Sequence, residues 1–298
     1  MQNKLGVADG WLSAHIFFNG DLYDKECDRV ILESVAPFVQ VCRKNQWITR
    51  YFFVRYGENG PHVRLRLHGA QDILEHEVKP LLIAEREAPL RILWISYEPE
   101  VGRYGGPDGM ILAESFFHYS SEISILLLGK IISEERSSRL GKALLSMVIL
   151  LHAFLDNRAK AAKFAGNYGM NYLQTLIRDE ALQSRWVEAF GSGYTRQAEM
   201  LAIYVNETWE RLQASETLPE VLDRYRQNIH EIKWRFKSLW ADRRLMIGAV
   251  VLENWEHCIS AIISSYVHMM NNRLGVTLQE ESYLAYLLAQ TLGKSVDN

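Results

Sequence analysis

Tyr51-Phe52-Phe53-Val54-Arg55-Tyr56-Gly57-Glu58-Asn59-Gly60-Pro61-His62-Val63-Arg64-Leu65-Arg66-Leu67-His68 consists of two alternating runs flanking a Gly/Asn/Pro turn, the pattern of a β-hairpin. Successive side chains of a strand point to opposite faces, so His62, Arg64, Arg66 and His68 share one face while Val63, Leu65 and Leu67 pack on the other. Two guanidinium groups one residue apart repel each other. That arrangement suggests an anionic ligand; the alternative is an exposed basic strand face, or one paired to acidic neighbours.

Outward from the hairpin, residues 10–115 carry further strand patterns at Trp11–Phe18, Trp47–Tyr56 and Arg91–Tyr97, separated by helical patterns at Lys25–Cys42 and Gln71–Glu87. From about Glu114 the apolar spacing is helical almost without a break and predicts about seven helices ending near Leu292. The stretches Gly166–Tyr172 and Gly191-Ser192-Gly193 read as loops, and Ser215–Pro219 as a helix boundary. The expected fold class is therefore α+β. A mixed α/β sheet region over about 10–115 packs with a mainly helical half over about 116–295, and the absence of a linker pattern makes 1–298 one domain with a site possible where the halves meet.

Composition is that of an ordinary globular protein: 298 residues, 48% hydrophobic, formal net charge −3. Arginines clustered locally in a slightly acidic chain point to a discrete anion site rather than to a nucleic-acid surface. Cys27, Cys42 and Cys258 are widely spaced, which argues against a disulfide framework and against a cysteine metal site and fits a reducing cytoplasm. Met1–Ala8 lacks the pattern of a secretory signal. The apolar runs Ile123–Leu128 and Ala143–Leu155 read as too short to span a membrane, so no membrane association is expected.

Two more constellations carry chemistry. Tyr97-Glu98-Pro99-Glu100-Val101-Gly102-Arg103-Tyr104-Gly105-Gly106 follows a strand, and its glycines allow backbone to approach a ligand with Arg103 carried on the loop; a structural Glu100–Arg103 pair is the plainer reading. In a helix over Leu252–Arg273 closed by Gly275, Ser264, His268 and Asn272 follow at four-residue spacing, and such a polar stripe needs hydrogen-bond partners. There is no GxSxG elbow, phosphate-binding glycine loop, HExxH or paired CxxC. His76 and Glu77 lack further ligands at metal spacing. Trp234, Phe236 and Trp240 among Arg235, Lys237, Arg243 and Arg244 read as a helix burying its aromatics and solvating its bases.

These constellations occur together and in order, and the chain resembles the C-terminal elimination domain of the class I lantibiotic dehydratases, a family that also occurs as standalone proteins in thiopeptide biosynthesis. The matching features are Trp11 opening a strand, Tyr56 through Pro61-His62-Val63-Arg64-Leu65-Arg66, Tyr97-Glu98-Pro99-Glu100 to Arg103-Tyr104-Gly105-Gly106, Ala113-Glu114 with Phe117, and His268-Met269 to Asn272-Arg273-Leu274. Many relatives carry an Asp-Ser pair where Ser120-Ser121 stands here.

The resemblance implies a cytoplasmic lyase acting on a ribosomal precursor peptide whose Ser or Thr has been glutamylated by a separate tRNA-dependent glutamylating protein, as the standalone half of a split dehydratase. Glutamate would be expelled to leave dehydroalanine or dehydrobutyrine. Carried over by position, the catalytic residues are Arg64, Arg66, Arg103 and His268, with His62, Tyr104, Asn272 and Arg273 as substrate-binding neighbours. No metal and no redox cofactor are implied, and the apolar helices would permit a homodimer. The alternatives are a thiopeptide cyclase joining two dehydroalanines into a six-membered nitrogen heterocycle with leader release, and a non-catalytic precursor-binding partner. Such cyclases need not keep the arginines that handle glutamate, so retention of Arg64, Arg66 and Arg103 with His268 favours elimination.

Overall fold

The computed structural model describes residues 9–84, 90–131, 136–248, 250–251 and 254–294. The hairpin is present as β2 (Arg50–Tyr56) and β3 (His62–Ala70), joined through a turn in which Asn59 and Gly60 adopt φ of 62° and 107°. With β1 (Asp9–Phe17) and β4 (Arg91–Trp94) they make an antiparallel sheet of order β2-β3-β1-β4. The register places Ser13 and Phe52 beside Arg66, and His15 and Val54 beside Arg64.

The two sheet faces have opposite fates. Val63, Leu65 and Leu67 join Leu12, Ala14, Ile16 and Phe53 in a core covered by two helices. These are α1, formed by Lys25–Arg29, the π-helical turn Val30–Val35 and Ala36–Lys44, and α2, formed by Gln71–Ile73, Leu74–Val78 and Lys79–Ala84. The other face turns Arg64 and Arg66 toward the helical half. Among the described residues seven helices follow: α3 (Gly106–Ile131), α4 (Arg136–Leu155), α5 (Arg158–Leu176), α6 (Glu180–Gln213), α7 (Glu220–Ala241), α8 (Trp255–Arg273) and α9 (Leu278–Gly293). Their core centres on Phe116 and Tyr266, whose rings stack at 3.9 Å. The fold is α+β, as the periodicities predict.

Several boundaries differ from expectation. The last strand of the sheet ends at Trp94, so Ile95–Glu100 runs free of it, and α3 starts at Gly106 because Gly106-Pro107 opens a helix instead of extending a loop. Gly166–Tyr172 and Gly191–Gly193 are helical, not loops. Their glycines serve close helix contact: a Cβ on Gly169 would lie 3.0 Å from Ser282 O, and one on Gly193 would lie 2.5 Å from Tyr283 Oη. Trp234 is 66% exposed beside Lys237, so the α7 face buries Phe236 but not that indole. Helix α4 is long and apolar enough to cross a membrane, contrary to the reading of its apolar run, and 72% of its most apolar stretch is buried inside the protein. The expected end of α2 at residues 85–87, the start of α8 at Leu252 and the stretch 1–8 lie outside the described residues.

A buried ionic network fixes α8 against the sheet. Asp28 on α1 accepts from Arg55 Nη2 at 2.6 Å and pairs with Arg139 of α4. Arg55 also donates to Arg273 O, and Arg139 to Leu274 O. Gly275 closes α8 at φ 69°, where a Cβ would sit 2.9 Å from Arg139 Nη1. The outer edge of β2 is covered by side chains: Phe53 N donates to Ser121 Oγ at 3.2 Å and Arg55 N to Asn272 Oδ1 at 2.9 Å.

Candidate active site

Arg66 stands on the sheet face beneath the helices, 9% exposed, with its guanidinium 5.3 Å from the Tyr97 ring centroid and 5.8 Å from that of Phe52. Its Nε and Nη1 are buried without a hydrogen-bond partner. Burial, and then the neighbouring Arg64 charge, lower its pKa to about 10. Arg64 lies over the Tyr56 ring at 3.2 Å, donates Nε–H to His62 Nε2 at 3.3 Å and approaches Glu58 at 3.8 Å.

Arg103 is delivered by the 3-10 turn Val101–Arg103 between the last sheet strand and α3. Gly105 lets this loop pass under the helical core, with φ 98° and Leu245 and Ile262 within 3.3 Å of a Cβ built there. Arg103 Nε donates to Ser265 Oγ at 2.8 Å, and Nη1 to Glu100 at 3.2 Å. The Glu100 pair expected on plain grounds therefore exists, and the same guanidinium is also tied to α8.

His268 comes from the middle of α8. Its Nδ1 lies 3.2 Å from Glu281 Oε2, and Tyr172 of α5 stacks on its ring at 5.5 Å. Burial first, then Arg103 and Arg273, hold its pKa down at about 4. Glu281 is fully buried on α9 and accepts a hydrogen bond from Tyr168; burial drives its carboxyl well above the usual carboxylate range.

A cleft of about 390 Å³ at the junction of sheet and helices gathers Arg64, Arg66, Arg103, Tyr104, His268 and Asn272 on its wall. Tyr104 is buried, and burial raises its phenol to about 12, so it stays protonated. Asn272 spends both ends of its amide on the Arg55 backbone, at 2.9 and 3.0 Å, and so stitches α8 to β2. His62 and Arg273, expected to bind substrate, do not line the cleft. His62 is buried under His15 with Nδ1 bonded to Gly60 O at 2.8 Å, where it props Arg64. Arg273 is fully buried on Ser121 Oγ and Met269 O, over the Phe117 ring. Ser121, at the position where relatives differ, thus holds Phe53 and Arg273 in place.

The sequence reading missed Glu281 and its partner Tyr168. The polar stripe on α8 signals that His268 needs a partner, but nothing in Thr277-Leu278-Gln279-Glu280-Glu281 distinguishes the inward carboxylate. Thr277 and Glu280 form a capping box, Glu280 turns to Arg136, and Glu281, one residue on, points inside. Among the described residues no three His, Cys, Asp or Glu side chains gather as a metal site.

An α+β scaffold that presents three guanidinium groups and one carboxylate-bound histidine on a closed cleft defines an anion-handling site with a built-in proton acceptor. Over residues 11–292 the chain matches the family described as lantibiotic biosynthesis dehydratase C-term, and it belongs to that family. It is similar to the epidermin biosynthesis protein EpiB of Staphylococcus epidermidis, 22% identical over 92% of this chain and 25% of that protein. The nisin biosynthesis protein NisB of Lactococcus lactis subsp. lactis is 24% identical over 84% of this chain and 24% of its own length. The chain thus spans about a quarter of these two relatives. Among solved structures the fold resembles TbtD, the pyridine synthase from thiomuracin biosynthesis, with a TM-score of 0.73 and 17% identity over 95% of this chain and 97% of that one.

Proposed function

We propose that the chain acts as one elimination unit that expels glutamate from glutamylated Ser or Thr of a ribosomal precursor peptide, leaving dehydroalanine or dehydrobutyrine. A tRNA-dependent glutamylating protein supplies the substrate. The observation that carries this reading is Arg66: a guanidinium buried with two N–H groups unpartnered costs free energy that a bound anion returns.

The α-proton of a peptide residue is weakly acidic, so its removal needs a positioned base and a stabilised enolate. Glu281 occupies Nδ1 of His268 and leaves Nε2 to take the proton. His268 is neutral at physiological pH in this site and is ready to accept it. Arg103, close enough to depress that histidine, is placed to hold the developing enolate oxygen. Arg66, with Arg64 beside it, receives the departing carboxylate through forked hydrogen bonds. The leaving group departs as an anion, and a histidine between arginines suits that charge flow.

The test is mass spectrometry of a candidate precursor, glutamylated by its partner protein and glutamyl-tRNA, before and after addition of this protein. Loss of glutamate, to a peptide one water lighter than the unmodified precursor, is the expected result. Persistence of the adduct overturns the proposal, and offering a peptide that already contains dehydroalanines then separates a cyclase from a peptide-binding partner.

A further inference from the structure

We infer that Glu281 and Tyr168 form a proton exit that carries the proton collected by His268 away from the cleft and into a second cavity behind it. This rests on the elimination reading and adds a route that reading leaves open.

The second cavity, about 450 Å³, lies between α5 and α8 and is lined by Lys163, Asn167, Tyr168, Asn171, His257 and Ser264. It stands back to back with the cleft. Ser264 faces it while the next residue, Ser265, holds Arg103 of the cleft. One continuous chain of hydrogen bonds crosses the wall between them. His268 borders the cleft, its Nδ1 meets Glu281 Oε2 at 3.2 Å, Glu281 Oε1 accepts from Tyr168 Oη, and Tyr168 borders the second cavity.

The middle of that chain has no structural excuse. Glu281 is fully buried, and among the described residues no Lys or Arg bridges to it. The buried Asp28, by contrast, has two arginines. A buried carboxylate without a cationic partner is costly, and such groups cluster where protons move. The groups facing the pair are Arg103 and Arg273 beside His268, and Tyr23 beside Glu281.

The chemistry supplies the need. In the elimination a C–H bond and a C–O bond break, a C=C bond forms, and glutamate leaves as a carboxylate, so each turnover leaves one proton on the histidine. While peptide and glutamate fill the cleft, Nε2 is covered and only Nδ1 has an outlet. Glu281 takes the Nδ1 proton. Tyr168 accepts it from the carboxyl as the phenol O–H turns to the cavity, and water there receives it. Glu281 and Tyr168 act through His268 and are positioning residues.

Tyr168→Phe removes one hydroxyl and keeps the ring packed on Phe164 and Tyr172. Expected are a kcat lowered about tenfold, below the full cost of losing a general base, an unchanged Kd for glutamylated peptide, and a pre-steady-state burst of one product per enzyme as proton exit becomes limiting. Glu281→Gln lowers kcat about 100-fold. A Tyr168→Phe protein with wild-type kcat and no burst overturns the relay. If the wild-type protein eliminates nothing, the functional reading fails, and the hydrogen-bond chain is read instead by imidazole ¹⁵N NMR, with the His268 signal assigned by its loss in His268→Asn. A His268 Nδ1 shift that moves in both Glu281→Gln and Tyr168→Phe supports the chain, and one that stays put in both overturns it.

Discussion

Replacing Arg66 by methionine should make the unliganded protein more stable while destroying its affinity for the anion. Methionine reproduces the unbranched stem between Phe52 and Tyr97 but removes a buried charge whose Nε and Nη1 have no partner. Burial lowers the Arg66 pKa from 12.5 to about 10, which corresponds to about 3 kcal/mol against the charged form. The desolvation cost of an unsatisfied polar group gives a similar figure, about 1–3 kcal/mol. For a chain of this size that is a rise in Tm of about 2–6 °C, read by scanning calorimetry without ligand. Affinity moves the other way. Two charge-assisted hydrogen bonds are lost, each contributing about 1.5–3 kcal/mol, so the Kd for a glutamylated peptide should rise about 10²–10⁴-fold by titration calorimetry. An Arg66→Met protein that melts lower than wild type, or that binds the peptide unchanged, would refute the assignment of Arg66 as an anion receptor held open by the fold.

Asp28→Asn leaves the buried Arg55 and Arg139 without their counter-charge and should cost about 3–5 kcal/mol by urea denaturation. Burial pushes the Asp28 carboxyl up, but the hydrogen bonds and charges of Arg139 and Arg55 outweigh it and leave its pKa lowered. Its contribution is therefore present above the unfolded value and disappears as pH falls through the folded one, visible as acid-side loss of stability in wild type and absent in Asp28→Asn. Because His268 titrates at about 4 in the free protein, kcat/KM for elimination should stay flat from neutral pH down to about 5 and fall near 4; a limb at the ordinary histidine pH would count against it as the base. Gly275→Ala forces a side chain into φ 69° and against Arg139 and Arg55, and should lower stability by more than the about 1–2 kcal/mol of left-handed strain alone, seen as a reduced Tm.

Strand alternation and helical periodicity are local properties, and both were readable. The hairpin, the segregation of His62, Arg64, Arg66 and His68 from Val63, Leu65 and Leu67, and the helices from α3 to α9 all follow from side-chain spacing along one chain. Glycine misled where its role is tertiary. Gly169 and Gly193 look like turn residues, yet they sit inside helices because Ser282, Ala285 and Tyr283 of α9 press against them. The same limit applies to the site. Sequence order placed Arg64, Arg66, Arg103 and His268 among the candidates, and the cleft brings those four together. It did not separate Asn272, which holds the β2 backbone, from residues open to a ligand, and it put His62 and Arg273 on the cleft wall when they lie behind it. Glu281 was invisible: two adjacent glutamates at a helix start look alike in one dimension. Only the packing of α9 on α5 and α8 decides that Glu280 meets Arg136 at the surface while Glu281 is buried against His268 and Tyr168, because which carboxylate loses its water depends on what lies across from it, not on its neighbours in the chain.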